Sequence, residues 1–226
     1  MSEQAYTRQL SIFDPDNFNQ YKIGIIGCGS IGSYLGITLS KLGMKKFRII
    51  DNDKINEHNL SNQFFTREDI GEYKVDVLKN EMNRVNPDGQ VLEIGEKKRR
   101  FIIKDLIGLN IVFCCVDKMD ARKRIFNKCV KNKHRNGYPK LFIDTRMGGE
   151  IFEVYTINLL NKEDVKMYRQ SLFSDKNAEQ TPCTARSIIY NVLAVSSIAV
   201  AQMVKVFNNV LYRNCITGDL VNMMLK

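Results

Sequence analysis

Three glycines, Gly27, Gly29 and Gly32, follow the apolar run KIGII and leave a stretch of backbone almost bare of side chains, with Ser30 inside the turn. Such a turn lets main-chain amides close on a phosphate, and a helix starting there adds the partial positive charge of its N-terminus. Asp51 ends the next apolar run, near the spacing at which dinucleotide-binding folds place a ribose-binding acid. These features point to a nucleotide without saying which. The following segment, DNDKINEHNLSNQFFTREDIGEYK, weighs against a hydride carrier. It gathers carboxylates (Asp51, Asp53), amides (Asn59, Gln63) and a lysine (Lys74), donor types suited to a triphosphate with a metal ion. Asp117 follows the run VFCCV, at the end of a strand where open α/β sheets bind ligands. Plainer readings exist for several of these. Asp53 and Asp69 also suit a turn and a helix start, Lys74 suits a solvated helix face, and Arg122 and Arg124 suit surface charges or partners of a nearby carboxylate.

The elements that would position these residues alternate. KIGIIG, KFRIID, QVLEI, NIVFCCV and KLFIDTR read as strands. SIGSYLGITLSKLG, IGEYKVDVLKNEMNRVNP and MDARKRIFNKCVKN read as the helices between them, the first ending at Gly43 and the second before Pro87. That order predicts an α/β fold: a Rossmann-like, mainly parallel sheet flanked by helices. After Arg146 the period changes, and GGEIFEVYTINL alternates as an antiparallel strand does. Residues 161–182 are polar without strong periodicity and read as a crossover loop or lid. The segment from Thr184 to Phe207 reads as a long buried helix, and NVLYRNCITGDLVNMML as a closing hairpin turning at TGD, so the C-terminal extension is antiparallel. The whole, residues 1–226, is expected to form one domain with an N-terminal arm over 1–20.

Composition narrows the function classes. With 44% hydrophobic and 26% charged residues the chain is an ordinary globular one. It has no uninterrupted apolar run of about 18 residues and no apolar leader, so neither membrane nor export is expected, and a cytoplasmic location is. Six cysteines, without a Cys-x-x-Cys pair, are expected to be reduced thiols, and zinc is not expected. The net charge of +9 suits a solvated basic surface or an acidic protein partner. No nucleic-acid-binding pattern accompanies the basic run EKKRR, so nucleic acid is not an expected partner. His58 and His134 have no triad-like context.

The pieces YTRQL, the glycine turn, DND, NLSNQ, IGEYK, VNP and CVD occur in an order and at spacings that resemble the ThiF/MoeB/HesA superfamily, the adenylation domains of ubiquitin-like-protein activating enzymes. The resemblance covers nearly the whole chain. It implies an enzyme that binds ATP and magnesium and adenylates the C-terminal carboxylate of a ubiquitin-like or sulfur-carrier protein, releasing pyrophosphate. It implies that Gly27, Gly29, Ser30 and Gly32 cradle phosphate and that Asp51 holds the ribose. Asp53, Asn59, Gln63 and Lys74 would line the nucleotide site, and Asp117 would organise magnesium. Arg8 would reach into the neighbouring subunit of a homodimer. No base is needed, because the attacking carboxylate is already ionised; the chemistry asks for alignment and charge neutralisation. The chain departs from the family at Asn62, where arginine is usual, at Ser30 and Lys118, and in lacking paired zinc cysteines. Two further readings stay open: adenylation of a tRNA-bound or peptide carboxylate, and a non-catalytic subunit that lends Arg8 to a partner. Cys183, in EQTPCTARSIIY, has two readings as well. It suits a small residue opening a buried helix. It also resembles the Cys-Thr thioester cysteine of some ubiquitin-type activating enzymes, with a helix start and Arg186 to favour a thiolate.

Overall fold

The structure is a computed structural model that describes residues 3–94, 101–173 and 188–226. Five parallel strands form its centre: β1 (Lys22–Ile26), β2 (Lys46–Ile50), β3 (Gln90–Ile94), β4 (Ile111–Cys114) and β5 (Leu141–Gly148). β6 (Ile151–Asn158), β7 (Cys215–Asp219) and β8 (Met224–Leu225) extend it with antiparallel pairs. The order across the sheet is β3-β2-β1-β4-β5-β6-β7-β8. The central strands read as unbroken apolar runs because both faces are covered; β4 is buried throughout. Strand order reverses between β1 and β4, which opens a crevice at their C-terminal ends.

Each face of the sheet has its own core. One holds α1 (Ser30–Lys41), α2 (Lys74–Val85) and α5 (Ile189–Phe207) over Ile23, Ile25, Phe47, Phe113 and Ile143. The other holds α3 (Met119–Asn132) and α4 (Lys162–Gln170) over Ile26, Val112, Phe142 and Ile157. α5 is long and apolar enough to cross a bilayer by length and composition alone. Its inner face instead carries three buried polar side chains that bond within the domain. Asn191 donates to the carbonyl of Gly149 at 2.9 Å, Ser196 to that of Ile31 at 3.4 Å and Gln202 to the Thr156 hydroxyl at 3.1 Å. The N-terminal arm is docked as well. Phe13 stacks on Phe18 at 5.1 Å, Phe18 on Phe207 at 4.4 Å, and the Gln9 amide donates to the carbonyl of Leu42 at 2.8 Å.

Two expectations change. The polar stretch read as loop over 161–182 contains the helix α4, while residues 174–187 lie outside the description. Asn161 caps α4 by accepting from the backbone N–H groups of Glu163 and Asp164, and only Asp164, Val165 and Tyr168 turn inward, too few to show as a period. The closing hairpin exists, yet TGD is not its turn: Thr217, Gly218 and Asp219 belong to β7, and the chain reverses after them. Asp219 accepts from both the backbone and the side chain of Asn222 and so shapes that reversal. Gly218 is needed for space and not for a turn. A Cβ there would lie 2.1 Å from the ring of the buried Phe152 on β6, and its φ is not in the left-handed region. Gly218→Ala should therefore lower stability by about 1–3 kcal/mol through overpacking, read as a reduced thermal midpoint with the nucleotide site unaffected. An unchanged midpoint would contradict this packing.

Candidate nucleotide-binding site

The glycine turn is built by two steric demands and one vacancy. Gly27 has φ of +95°, and a Cβ on it would come within 2.6 Å of the Cys115 carbonyl. A Cβ on Gly32 would lie 1.9 Å from the carbonyl oxygen of Gly27, so α1 meets β1 without any side chain between them. Gly29 differs: a Cβ there would meet only the Gln63 amide nitrogen, at 3.9 Å. Gly29 also stands at the start of α1, where no side chain caps the first turn. The helix thus presents unfilled amide donors to open space, beside Ser30.

Asp51 locks this turn to the next loop. It accepts the Cys28 N–H at 2.7 Å and the Asp53 N–H at 2.8 Å. Burial nevertheless raises its pKa, and those two bonds and the charge of Lys74 oppose the rise. Lys74 opens α2 and is buried, with Nζ 3.3 Å from an Asp53 carboxylate oxygen, so it is no solvated helix lysine. The pairing of Lys54 with Tyr73, and the Lys74 N–H bonded to the Asp53 carbonyl at 3.1 Å, bring the two ends of the loop together. Asn59 is buried too, but its amide oxygen accepts the Asn56 N–H at 2.9 Å, which shapes the loop. Gln63 is buried beside the turn with its Oε1 atom left without a hydrogen-bond partner.

Asp117 is exposed just past β4, in a segment held against the turn through the Cys115 carbonyl near Gly27. One carboxylate completed by substrate phosphates is the usual donor set for magnesium, so Asp117 fits that ion. Arg8 is exposed, in a segment fastened near the opposite end of α1 from its own chain's glycine turn. Its neighbour Gln9 is fastened to Leu42, past the C-terminal end of the 12-residue α1, roughly 18 Å along that helix from its start. Cys183 lies outside the described residues. In the five described cysteines, burial raises the thiol: Cys115 is pushed up to about 12, and Cys28, Cys114, Cys129 and Cys215 also rise.

One feature escaped the sequence. Ser33, fully buried on α1, donates to the Ser30 carbonyl at 3.2 Å and accepts the Phe64 N–H at 3.1 Å, tying the glycine turn to the loop of Gln63. A serine one turn into a helix carries no sequence signal for this. Arg122, for which a carboxylate pair was one of the two readings, does have its carboxylate: Asp144 of β5, at 2.6 Å and buried. Arg124 is exposed.

A mainly parallel sheet with an uncapped glycine turn at its switch point, a buried lysine beside it and an acid past the neighbouring strand is an α/β domain with a candidate nucleotide site. Residues 6–225 match the ThiF family, and the chain belongs to it. Among its relatives, the sulfur carrier protein ThiS adenylyltransferase of Escherichia coli strain K12 is 30% identical over 132 residues, 55% of this chain and 53% of that protein. The ubiquitin-like modifier-activating enzyme 5 of Aedes aegypti is 26% identical over 138 residues, 55% of this chain and 35% of that protein. The matched regions thus span about half or less of these curated relatives. A crystal structure of Escherichia coli MccB with AMPCPP and MccA superposes with a TM-score of 0.74 at 18% identity, covering 100% of this chain and 71% of that one. PaaA gives the same TM-score at 16% identity, covering 99% and 72%. At these identities the two structures show the fold alone.

The glycine geometry separates two outcomes. Gly27→Ala should destabilise the fold by at least ~2 kcal/mol, from its left-handed φ and its clash with Cys115. Gly29→Ala should fold as the wild type but bind ATP roughly tenfold more weakly, by obstructing amide contacts. Chemical denaturation and calorimetry with ATP measure the two; equal effects of both substitutions on stability would refute the distinction.

Proposed function

We propose that this protein uses ATP to adenylate a carboxylate, and that the carboxylate is the C-terminus of a ubiquitin-like or sulfur-carrier protein. The observation that carries the proposal is the buried Lys74 held by Asp53 next to an uncapped, side-chain-free helix start. A desolvated cation and unfilled amides suit a polyanion better than a nicotinamide. The Gln63 amide has its nitrogen beside Gly29 and its buried oxygen without a partner in the protein, and such a group suits the polar edge of a nucleotide. Family membership and the names of the curated relatives support the same reaction class.

In this reading a carboxylate oxygen attacks the α-phosphorus. The new O–P bond forms as the bond to the bridging oxygen of the β-phosphate breaks, and that electron pair leaves with pyrophosphate. No proton moves. The amides at the start of α1 and the Lys74 ammonium stabilise the negative charge gathering on the phosphates. Asp51 orients the ribose while keeping the turn closed. Asp117 would hold magnesium, which would supply positive charge to the phosphates. Arg8 serves the site of a second copy in a homodimer, which its distance along α1 from its own glycine turn supports. Cys183, as a thiolate, takes the acyl group from the adenylate, the new S–C bond forming as the bond to AMP breaks; the resemblance of its segment to the Cys-Thr thioester cysteine supports that assignment.

A second reading has one observation in its favour. The MccB structure matches the whole chain, and its partner there is MccA. The acceptor would then be the carboxylate of a short peptide.

ATP–pyrophosphate exchange with candidate carrier tails and with short peptides separates these readings. Lys74→Ala and Asp117→Ala should each lower exchange by roughly 10²–10³-fold with the fold retained, the usual effect of removing one electrostatic contact to a transition state. Exchange at the wild-type rate in either variant would remove that residue from its role. On a non-reducing gel, a thiol-sensitive adduct with the carrier should form and disappear in Cys183→Ala while exchange persists. An adduct surviving that substitution would refute the thioester.

A further inference from the structure

Asp144 on β5 is completely buried, and two arginines share it. Its Oδ1 accepts from Arg122 Nε at 2.6 Å and its Oδ2 from Arg146 Nε at 2.7 Å. Two guanidinium groups share this one buried carboxylate, and Arg146 Nη1 also lies 3.7 Å from a carboxylate oxygen of the half-exposed Glu153. Burying charge is costly and by itself a poor device for stability. Burial works to lower the pKa of both arginines, but the carboxylate prevails and holds both charged.

The remaining donors of these arginines show what the arrangement holds. Arg122 extends Nη2 to the carbonyl of Val116 at 2.7 Å and to that of Thr145 at 3.0 Å. Val116 is the residue before Asp117. Arg146 reaches the other way. It donates to the carbonyl of Ser171 at 3.1 Å and its hydroxyl at 2.9 Å, past the end of α4, and lies over the rings of Tyr155 and Tyr168 at 4.4 and 5.4 Å. Arg122 is therefore the link between a rigid strand and the exposed loop of Asp117. A planar fork can bond a carboxylate with one edge and a carbonyl with another; an ammonium group is a single compact point of charge.

We infer that Arg122, fixed by Asp144, is a positioning residue that holds the Val116–Lys118 loop so that Asp117 faces the phosphate turn. The inference rests on the adenylation reading for the purpose of the loop, and on the hydrogen bonds alone for the link. Arg146, on the other oxygen of the same carboxylate, has no bond to that loop and supplies the internal comparison.

The test compares Arg122→Lys with Arg146→Lys. Both keep a charge beside Asp144, and each loses a fork. In Arg122→Lys, amide hydrogen exchange at Asp117 and Lys118 should rise roughly tenfold, the equivalent of one lost contact. The magnesium concentration giving half-maximal ATP–pyrophosphate exchange should rise by a similar factor, with the KM for the carboxylate substrate unchanged. Arg146→Lys should leave both readouts at wild-type values even where its melting temperature falls as far. Asp144→Asn keeps the shape but replaces one of the two acceptor oxygens with an NH2 donor, so it should raise amide exchange at Asp117 and Lys118 in the same direction and serves if Arg122→Lys does not fold. Wild-type amide exchange in Arg122→Lys, or equal effects of the two lysine variants, would overturn the inference. Absence of ATP binding and turnover in the wild-type protein would overturn the adenylation reading instead, while the amide-exchange comparison would still decide whether Arg122 holds the loop.

Discussion

The contact between α1 and β1 admits no side chain. The first turn of α1 lies so near the end of β1 that one added carbon on Gly32 would overlap the carbonyl of Gly27. This sets how far the helix start projects above the sheet, and with it the height of every loop around the crevice. Gly27 in turn backs onto Cys115, which places the end of β4, and Asp51 pins the turn from the other side through the Cys28 N–H. The geometry of the site is thus decided largely by hard-core repulsion, and the hydrogen bonds settle into the space that remains.

Charge is arranged around that framework in two layers. Near the surface, Lys74 and Asp53 form a lopsided pair, the lysine buried and its partner well exposed. The lysine is therefore only partly neutralised, and its field extends into the crevice. Deeper, Asp144 takes two arginines whose other donors reach loops on opposite sides of β5. Interior charge here serves to connect backbone segments that packing alone would leave loosely placed.

Much of this was legible in the residues, for reasons that differ by region. The succession of β1, α1, β2 and α2 was readable because buried parallel strands are continuous apolar runs and the glycines punctuate them. The clustering of Asp51, Asp53, Gln63 and Lys74 was readable because those polar side chains crowd into one short loop. α4 was not, since its inward face includes a carboxylate, Asp164, whose Oδ2 accepts the Asn158 N–H at 2.9 Å, and so breaks the apolar pattern. Asn161 followed by two acids was the signal available. Gly218 was misread because a glycine before an aspartate suits both a turn and a close strand crossing; only the opposing Phe152 decides between them. The depth of Arg122 could not be read, since an arginine on a basic helix looks the same whether its partner is solvent or a buried acid on a distant strand.

The two halves of the sheet differ in how far apart their pairing partners lie in the chain. β5 and β6 close through Gly149 and Glu150, with Gly148 opposite Ile151, so that hairpin needs only a tight turn. β1 pairs β4 with Ile23 opposite Ile111, across a loop that includes α1, β2, α2 and β3. Contacts of such separation carry the larger entropy of closure and dominate the barrier to folding. The crevice lies at this β1–β4 junction. On refolding of the whole chain, local hairpin structure would therefore be available well before the nucleotide cradle, and a bound nucleotide would stabilise chains only after the slow, long-range step is complete.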